Sequence, residues 1–391
     1  MMLLIALFLK DEISILERVV ILVSNNRQLT RSQNAAIEYI SNDARSQKRE
    51  AQASLKEIFH FSNIPWNTFE EAVHKIKSYA RVALHFHPDR PVLDMKSVAQ
   101  SLLAQGIYKS QFETFISNGS VSAYVGGARD LWEEKLFGGA YQLEGATNFE
   151  RPKYGALHLL LHPDGPSPRF GSCYFLLKPN ASYRCTFTYG GSQDDPKEKG
   201  TYEELDDILS ALFTDAFFRD YAIGEKDLTP KKLIDLLLYN LERPLEDPSK
   251  LAPYRNLNHF IETQIHGDIY LEDDVETLVA DPSFKGTEIG NYLEQICIKY
   301  SIELFWHMGF AMRAEEVPSD FRGPTMPSLA KRIASNGNID ASVIGNAVND
   351  LKHNPDLWSD RGNYEEVLQE LKYMWHILVR YGKSIEKLYK G

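Results

Sequence analysis

A chain of 391 residues with 43% hydrophobic and 12% aromatic content can bury a sizeable core and is too apolar to stay disordered. Its formal net charge of −11 disfavours nucleic-acid binding by counterion release, leaving room only for a local basic pocket. Three scattered cysteines, Cys173, Cys185 and Cys297, form no CxxC pair, which disfavours a disulfide scaffold or a cysteine zinc site and suits a reducing compartment.

The opening "MMLLIALFLKDE" has a short apolar run, no basic leader and no small-residue cleavage site, so it is expected to be the apolar face of a first helix. No stretch has the length needed to span a membrane. The expected location is the cytoplasm, or a target cell into which the protein is delivered. The first 80 residues read as helical. "TRSQNAAIEYISNDARSQKREAQASLKEIF" is polar with sparse apolar residues, as on an exposed or interaction helix. "TFEEAVHKIKSYA" puts Ala72, Val73, Ile76 and Ala80 on one stripe behind a Thr68–Glu71 capping box.

From residue 81 the period becomes two-fold. "RVALHFHP" alternates as a strand, and Pro88 ends it. "DMKSVAQSLLAQG" predicts a helix between an Asp94 N-cap and Gly106, and "ARDLWEEKLFGGAY" one stopped by Gly138 and Gly139. "YGALHLLLH", "GSCYFLL" and "YRCTFTY" are short strands bounded by Pro, Gly and Asn. A helical pair is inserted next: "TYEELDDILSALFTDAFF" behind a Thr201–Glu204 capping box, then "TPKKLIDLLLYNL" with Pro230 at its first position.

"NLNHFIETQIHGDIYL" predicts a longer strand, with Leu257, Ile261, Ile265, Ile269 and Leu271 on one face and Phe260, Glu262, Gln264, His266 and Asp268 on the other. Such a polar face either borders a cleft or is the solvated side of an antiparallel sheet. The C-terminal hundred residues are helical again, joined through "RGPTMP". The predicted class is α+β: a mixed, mostly antiparallel sheet core with helical insertions over residues 81–290, flanked by helical regions over 1–80 and 291–391.

The chemistry centres on "HFHPDR", residues 85–90. As a metal site, His85 and His87 form an HxH on one strand face, with His158, His162 and His266 on other strands, which would suit a metal-dependent hydrolase. As an interaction motif, "IKSYARVALHFHPDR" resembles the J-domain segment, with His87, Pro88 and Asp89 matching its HPD turn; that resemblance implies a non-enzymatic contact with an Hsp70 partner. As a third reading, the segment forms one wall of an anion pocket.

The third reading uses more of the chain. "HFHPDR", "GIYKSQFETFISNGS", "GGARDLWEEKLFGGAY", "RPKYGALHLL", "GPSPRFGSCYFLL" and "FIETQIHG" occur in this order, and over roughly residues 75–290 they resemble the bacterial family of unknown function DUF3626. The order of features also resembles the ADP-ribosyltransferase superfamily. In that superfamily an early strand carries an Arg or His that holds NAD, a middle strand a small hydroxyl residue, and a late strand a catalytic Glu, often as E-x-E or Q-x-E.

The resemblance implies NAD as substrate, and a toxin or effector that transfers ADP-ribose to a macromolecular acceptor. It places His85, His87 or Arg90 early, Ser172 in the middle and Glu262 late. Here Glu262 precedes Gln264 as E-T-Q, the reverse of Q-x-E, so Gln264 and His266 stay open as alternatives on that face.

The residue types suit that chemistry. A carboxylate stabilises the positive charge that builds on ribose as the nicotinamide bond breaks, which suits Glu262. Guanidinium groups bind pyrophosphate oxygens, which suits Arg90 and Arg169, the latter in the glycine-flanked turn "GPSPRFGS". Ser172 would orient the ribose or Glu262, and His85 or His87 would bind a ribose hydroxyl as a neutral imidazole. Trp132 and Tyr141 read as core, with Tyr141 also placed to line a nicotinamide pocket. The expected acceptor is a protein; other acceptors and water stay open.

Overall fold

The computed structural model describes residues 28–92, 94–115 and 123–389. The opening apolar run and the "SNG" of residues 117–119 lie outside them. The fold is α+β, built on an eight-stranded sheet. In chain order its strands are β1 (Arg81–Phe86), β2 (Lys153–His158), β3 (Cys173–Leu177), β4 (Cys185–Tyr189), β5 (Lys199–Thr201), β6 (Ile261–Ile265), β7 (Val275–Ala280) and β8 (Glu303–Trp306). Their order across the sheet is β8-β7-β3-β1-β2-β6-β4-β5. Every pair is antiparallel except β7 with β8. That parallel pair is joined by the helix Glu288–Tyr300, the crossover a parallel connection requires.

Alternation along the strands sets two faces. Leu84, Phe86, Phe175, Phe187, Ile261 and Ile265 point into a large apolar core, which also takes in the helices on that side. Among these are α1 (Arg31–Phe61), α2 (Trp66–Tyr79), α3 (Val98–Gln105) and, after β5, α5 (Asp206–Arg219). The helix α4 (Ala128–Leu136) precedes β2, and α6 (Pro230–Tyr239) follows α5. The C-terminal helices are α7 (Glu288–Tyr300), α8 (Met326–Ile333), α9 (Ala341–His353) and α10 (Tyr364–Tyr381). Leu371, Trp375 and Leu378 of α10 belong to the same continuous core as Leu84 of β1 and Leu55 of α1.

Several local readings need correction. The polar helix α1 is not an exposed arm: Ala36, Ile40, Ala44, Ala51 and Leu55 are buried, a stripe of mostly small residues that lets it lie close to its neighbours. Its cap is Thr30, closed by Gln33 in a capping box. The helix α2 begins at Trp66 with Pro65 as N-cap, so Thr68 and Glu71 sit inside it and make no box. The N-cap of α3 is Ser97, not Asp94, because Ser97 has Gln100 three residues on to close a capping box. Thr201 ends β5, and its hydroxyl accepts from the Glu204 N–H in a turn before α5 rather than in that helix's cap. Pro230 at the first position of α6 and Gly106 after α3 stand where the sequence places them.

The strand through Glu262 is shorter than predicted. It ends at Ile265, and Ile269–Tyr270 pairs instead with Ile107–Tyr108 in a separate two-stranded ribbon. Gly267, at φ +80°, turns the chain between them.

Candidate functional site

The sheet opens where β1 and β2 part. Their pairing covers only Arg81–Ala83 against Ala156–His158. Beyond it β1 follows β3, with His85 opposite Tyr174 and Phe86 opposite Cys173, while β2 follows β6, with Tyr154 opposite Gln264 and Lys153 opposite Ile265. A cleft of about 310 Å³ lies at this divergence. Its β1 side is His85, Phe86, His87 and Arg90, and its β2 side is Lys153, Tyr154 and Gly155. Glu262 faces the cleft from β6, flanked across the sheet by Ala156 and Thr188. The small side chain of Ala156 leaves the space above it.

Of the residues singled out from sequence, His85, His87, Arg90, Arg169 and Glu262 line this cleft, and Gln264 and Ser172 do not. Gln264 is fully buried beneath Glu262: its amide donates to Glu262 Oε1 at 3.1 Å and to Thr188 Oγ1 at 3.3 Å, and its carbonyl accepts from Thr186 Oγ1 at 2.8 Å. The backbone N–H of Ser192 donates to the same Glu262 Oε1 at 3.1 Å. Burial pushes the Glu262 carboxyl above its ordinary range, and the Ser192 and Gln264 hydrogen bonds offset part of that rise. Gln264 is therefore a positioning residue. Under the catalytic role proposed for Glu262 below, a Gln264→Leu variant should lower turnover by about ten- to a hundred-fold, since a hydrogen bond to a charged group contributes about 1.5–3 kcal/mol. Steady-state rates with a thermal melt check this.

Ser172 lies behind the histidine strand. Its hydroxyl pairs with His87 Nδ1 at 3.4 Å, so it orients that imidazole and not Glu262. Among the described residues, His87 Nε2 makes no hydrogen bond, which leaves it for a ligand. His85 is committed on both nitrogens: Nδ1 to Gly171 O at 3.3 Å and Nε2 to the Ser167 N–H at 3.4 Å. Burial holds it neutral, pushed down to about 3. It anchors the Ser167–Gly171 turn that carries Arg169 instead of reaching a ribose.

Gly165 makes room for the His85 ring: at φ +76°, a Cβ there would stand 2.3 Å from His85 Nε2. Gly165→Ala should cost about 1–3 kcal/mol of stability through strain and clash, read by denaturant unfolding.

Of the two aromatics read as core, Tyr141 is core and Trp132 is not. Trp132, read as core, is half-buried on α4 and lines the cleft. Tyr141 does not: it is buried against His266, with its hydroxyl on His266 Nδ1. His266, fully buried and also bonded to Thr186 Oγ1 at 3.1 Å, is a core histidine rather than a second candidate beside Glu262.

The alternative readings of "HFHPDR" meet the same geometry. His85 and His87 have no third ligand, because among the described residues no three His, Cys, Asp or Glu side chains converge on a metal-sized site. His87 and Asp89 are buried, as is Pro88 between them, and a strand, not a helix, leads into them. A Cβ at Gly345 of α9 would lie 1.5 Å from Asp89 Oδ2, so this tripeptide is packed inside and presents no docking surface.

Electrostatics set the cleft apart. In a chain of net charge −11, it gathers seven cationic side chains against one carboxylate, Glu262. Arg90 comes from the loop after β1, Lys109 from just beyond the Ile107–Tyr108 ribbon strand, Arg129 from α4, Lys153 from β2, Arg169 from the turn before β3, and Arg322 and Lys372 from the C-terminal helical region. Arg90 is 9% exposed, its Nη1 has no hydrogen bond, and no ion pair is made to it among the described residues. Burial pushes Lys372 down to about 7, with Arg169, Arg129 and Arg322 adding repulsion. Burial and the same neighbours, Arg169, Arg322 and Lys372, hold His376 down to about 2, hence neutral.

Sequence reasoning missed Lys109, Arg129, Arg322, Lys372 and His376. A signal existed for the last: Gln369, Lys372, Tyr373 and His376 fall at helical spacing, and His376 interrupts the apolar run "YMWHILV".

The family model for the protein of unknown function DUF3626 matches residues 81–381. The chain belongs to the DUF3626 family. The match starts with β1, ends at the last residue of α10, and reaches some way past the roughly 75–290 over which the sequence motifs resemble the family. Both the sheet and the C-terminal helix that lines the cleft therefore fall within the family's common part. No curated protein matches the chain. Among the described residues, no helix is long and apolar enough to cross a membrane.

Proposed function

We propose that the cleft binds NAD and catalyses ADP-ribosyl transfer, with Glu262 as the catalytic carboxylate. The observation that carries the reading is a single buried, hydrogen-bonded carboxylate facing a cleft whose other charged side chains are all cations. Cations draw in the pyrophosphate, through Arg90 and Arg169, since guanidinium forks match phosphate oxygens. The carboxylate meets the part of the substrate that becomes positive.

The nicotinamide–ribose bond breaks with its electron pair leaving on the nicotinamide nitrogen. Positive charge spreads over ribose C1′ and the ring oxygen. Glu262, fixed on Oε1 by Ser192 and Gln264, stabilises that charge without having to reorient. The acceptor nucleophile then bonds to C1′ and loses its proton. His87, oriented by Ser172, binds a ribose hydroxyl through Nε2. Trp132 offers its ring face to the nicotinamide. A protein side chain is the proposed acceptor, and action as a toxin or effector in another cell follows from the same reading.

The test is nicotinamide release from NAD by the purified full chain, with Arg90→Ala alongside. Loss of the guanidinium should weaken NAD binding by about ten-fold or more, as for a charge-assisted hydrogen bond. Unchanged NAD affinity in that variant would take Arg90 out of the site.

A further inference from the structure

The cleft holds more positive charge than a pyrophosphate neutralises, and the excess sits on its C-terminal side. Arg322, in the turn before α8, and Lys372, on α10, are both half-buried, and neither makes an ion pair among the described residues. Arg322 stacks on Phe321 at 5.0 Å and Tyr373 at 5.5 Å, which fixes its guanidinium without neutralising it. The helix that carries Lys372 is pinned to the Arg169 turn, because the buried Trp375 Nε1 donates to Pro168 O at 2.8 Å.

A second observation points the same way. His376, one turn beyond Lys372, is 1% exposed, lines the cleft and makes no well-formed hydrogen bond on either ring nitrogen, with only the Arg169 backbone in reach. Like charges crowded at low dielectric repel one another, and a buried imidazole without hydrogen bonds is costly. An anion bound between them removes the repulsion. Burial is the main cause of the low proton affinity of Lys372, and the crowding by Arg169, Arg129 and Arg322 adds to it.

We propose that Arg322 and Lys372 hold a phosphate monoester, in addition to the pyrophosphate held by Arg90 and Arg169. A monoester carries more negative charge near neutral pH than a diester phosphate does, about −1.5 to −2, and so matches two cations better. The assignment of the pyrophosphate rests on the ADP-ribosyl-transfer reading; the monoester site stands on its own residues. The phosphate comes either with the dinucleotide, as a ribose 2′-phosphate, or with the acceptor.

Calorimetry on the full chain separates these sources, using NAD, its 2′-phosphorylated form NADP+, and inorganic phosphate as probes. The variants are Lys372→Met, Arg322→Gln and the charge-keeping Lys372→Arg, each checked for an unchanged unfolding transition. If the phosphate belongs to the nucleotide, NADP+ binds at least about ten-fold tighter than NAD. That preference disappears in Lys372→Met and Arg322→Gln and survives in Lys372→Arg. If it belongs to the acceptor, the two dinucleotides bind alike and inorganic phosphate binds the NAD-saturated protein, again lost in the first two variants. Phosphate binding that needs Arg322 and Lys372, without any NAD binding, supports this site and removes the NAD reading. The proposal is overturned by wild-type protein that neither prefers NADP+ nor binds phosphate, or by a preference that Lys372→Met and Arg322→Gln leave intact.

Discussion

Glu262→Ala should lower nicotinamide release from NAD by about 10²–10³-fold, the usual loss when one preorganised electrostatic group is removed from a reacting centre. The NAD dissociation constant should change little, because the carboxylate acts on charge that exists only as the glycosidic bond breaks. The fold should persist, since the backbone pairing of Glu262 with Ala156 and Thr188 is kept and its side chain holds only Ser192 and one Gln264 amide proton. Glu262→Gln keeps the shape and loses the charge, so a comparable fall in that variant assigns the effect to the carboxylate. The wild-type rate should also decline on the acid side at a higher pH than for an ordinary glutamate. The ionised form is the active one, and burial raises the pH at which it takes up a proton. An undiminished rate in both variants removes Glu262 from the chemistry.

Arg151→Ala should destabilise the protein by about 3–5 kcal/mol, the cost of removing one partner from a buried ionic network. Arg151 is 3% exposed, donates to Glu133 Oε2 at 2.8 Å, and pairs through its other terminal nitrogen with Asp130. Glu133 is 1% exposed and also accepts from Tyr154 OH at 2.8 Å. Without Arg151, two buried carboxylates on α4 lose the cation that joins them; Asp130 keeps the Gly126 N–H and the Gln142 amide, and Glu133 keeps the Tyr154 hydroxyl and the field of Arg129. The same network clamps α4 to the start of β2, and α4 carries Arg129 and Trp132 into the cleft. Affinity for anions should therefore fall together with stability. Urea unfolding gives the first quantity and calorimetry at low temperature the second. A loss below about 1 kcal/mol would show that water reaches the pair and screens it as at a surface.

The sheet and much of its chemistry are legible in the sequence because they are written locally. Alternation places His85 on one strand and Glu262 and Gln264 on another, and the chain just past β1 and just before β3 delivers His87, Arg90 and Arg169 to one place. What alternation cannot give is the neighbour. The shared polar face of β6 reads the same whether it meets water or a cleft. The divergence of β1 from β2 decides it, and that is a pairing between residues more than seventy positions apart.

Trp132 is misread as core for a similar reason. Its place on α4 does not say whether the ring meets the interior or the cleft. Lys372 and His376 escape notice because Arg169, which lines the same cleft, lies two hundred residues earlier. A polar stripe on a helix names no target.

A cationic cleft with one buried carboxylate should turn over NAD. The most direct measurement is nicotinamide release by the purified wild-type full chain, followed by chromatography against a control without protein. Release that scales with protein concentration and is stoichiometric with loss of NAD is the predicted result. No release, together with no heat of NAD binding, would contradict it.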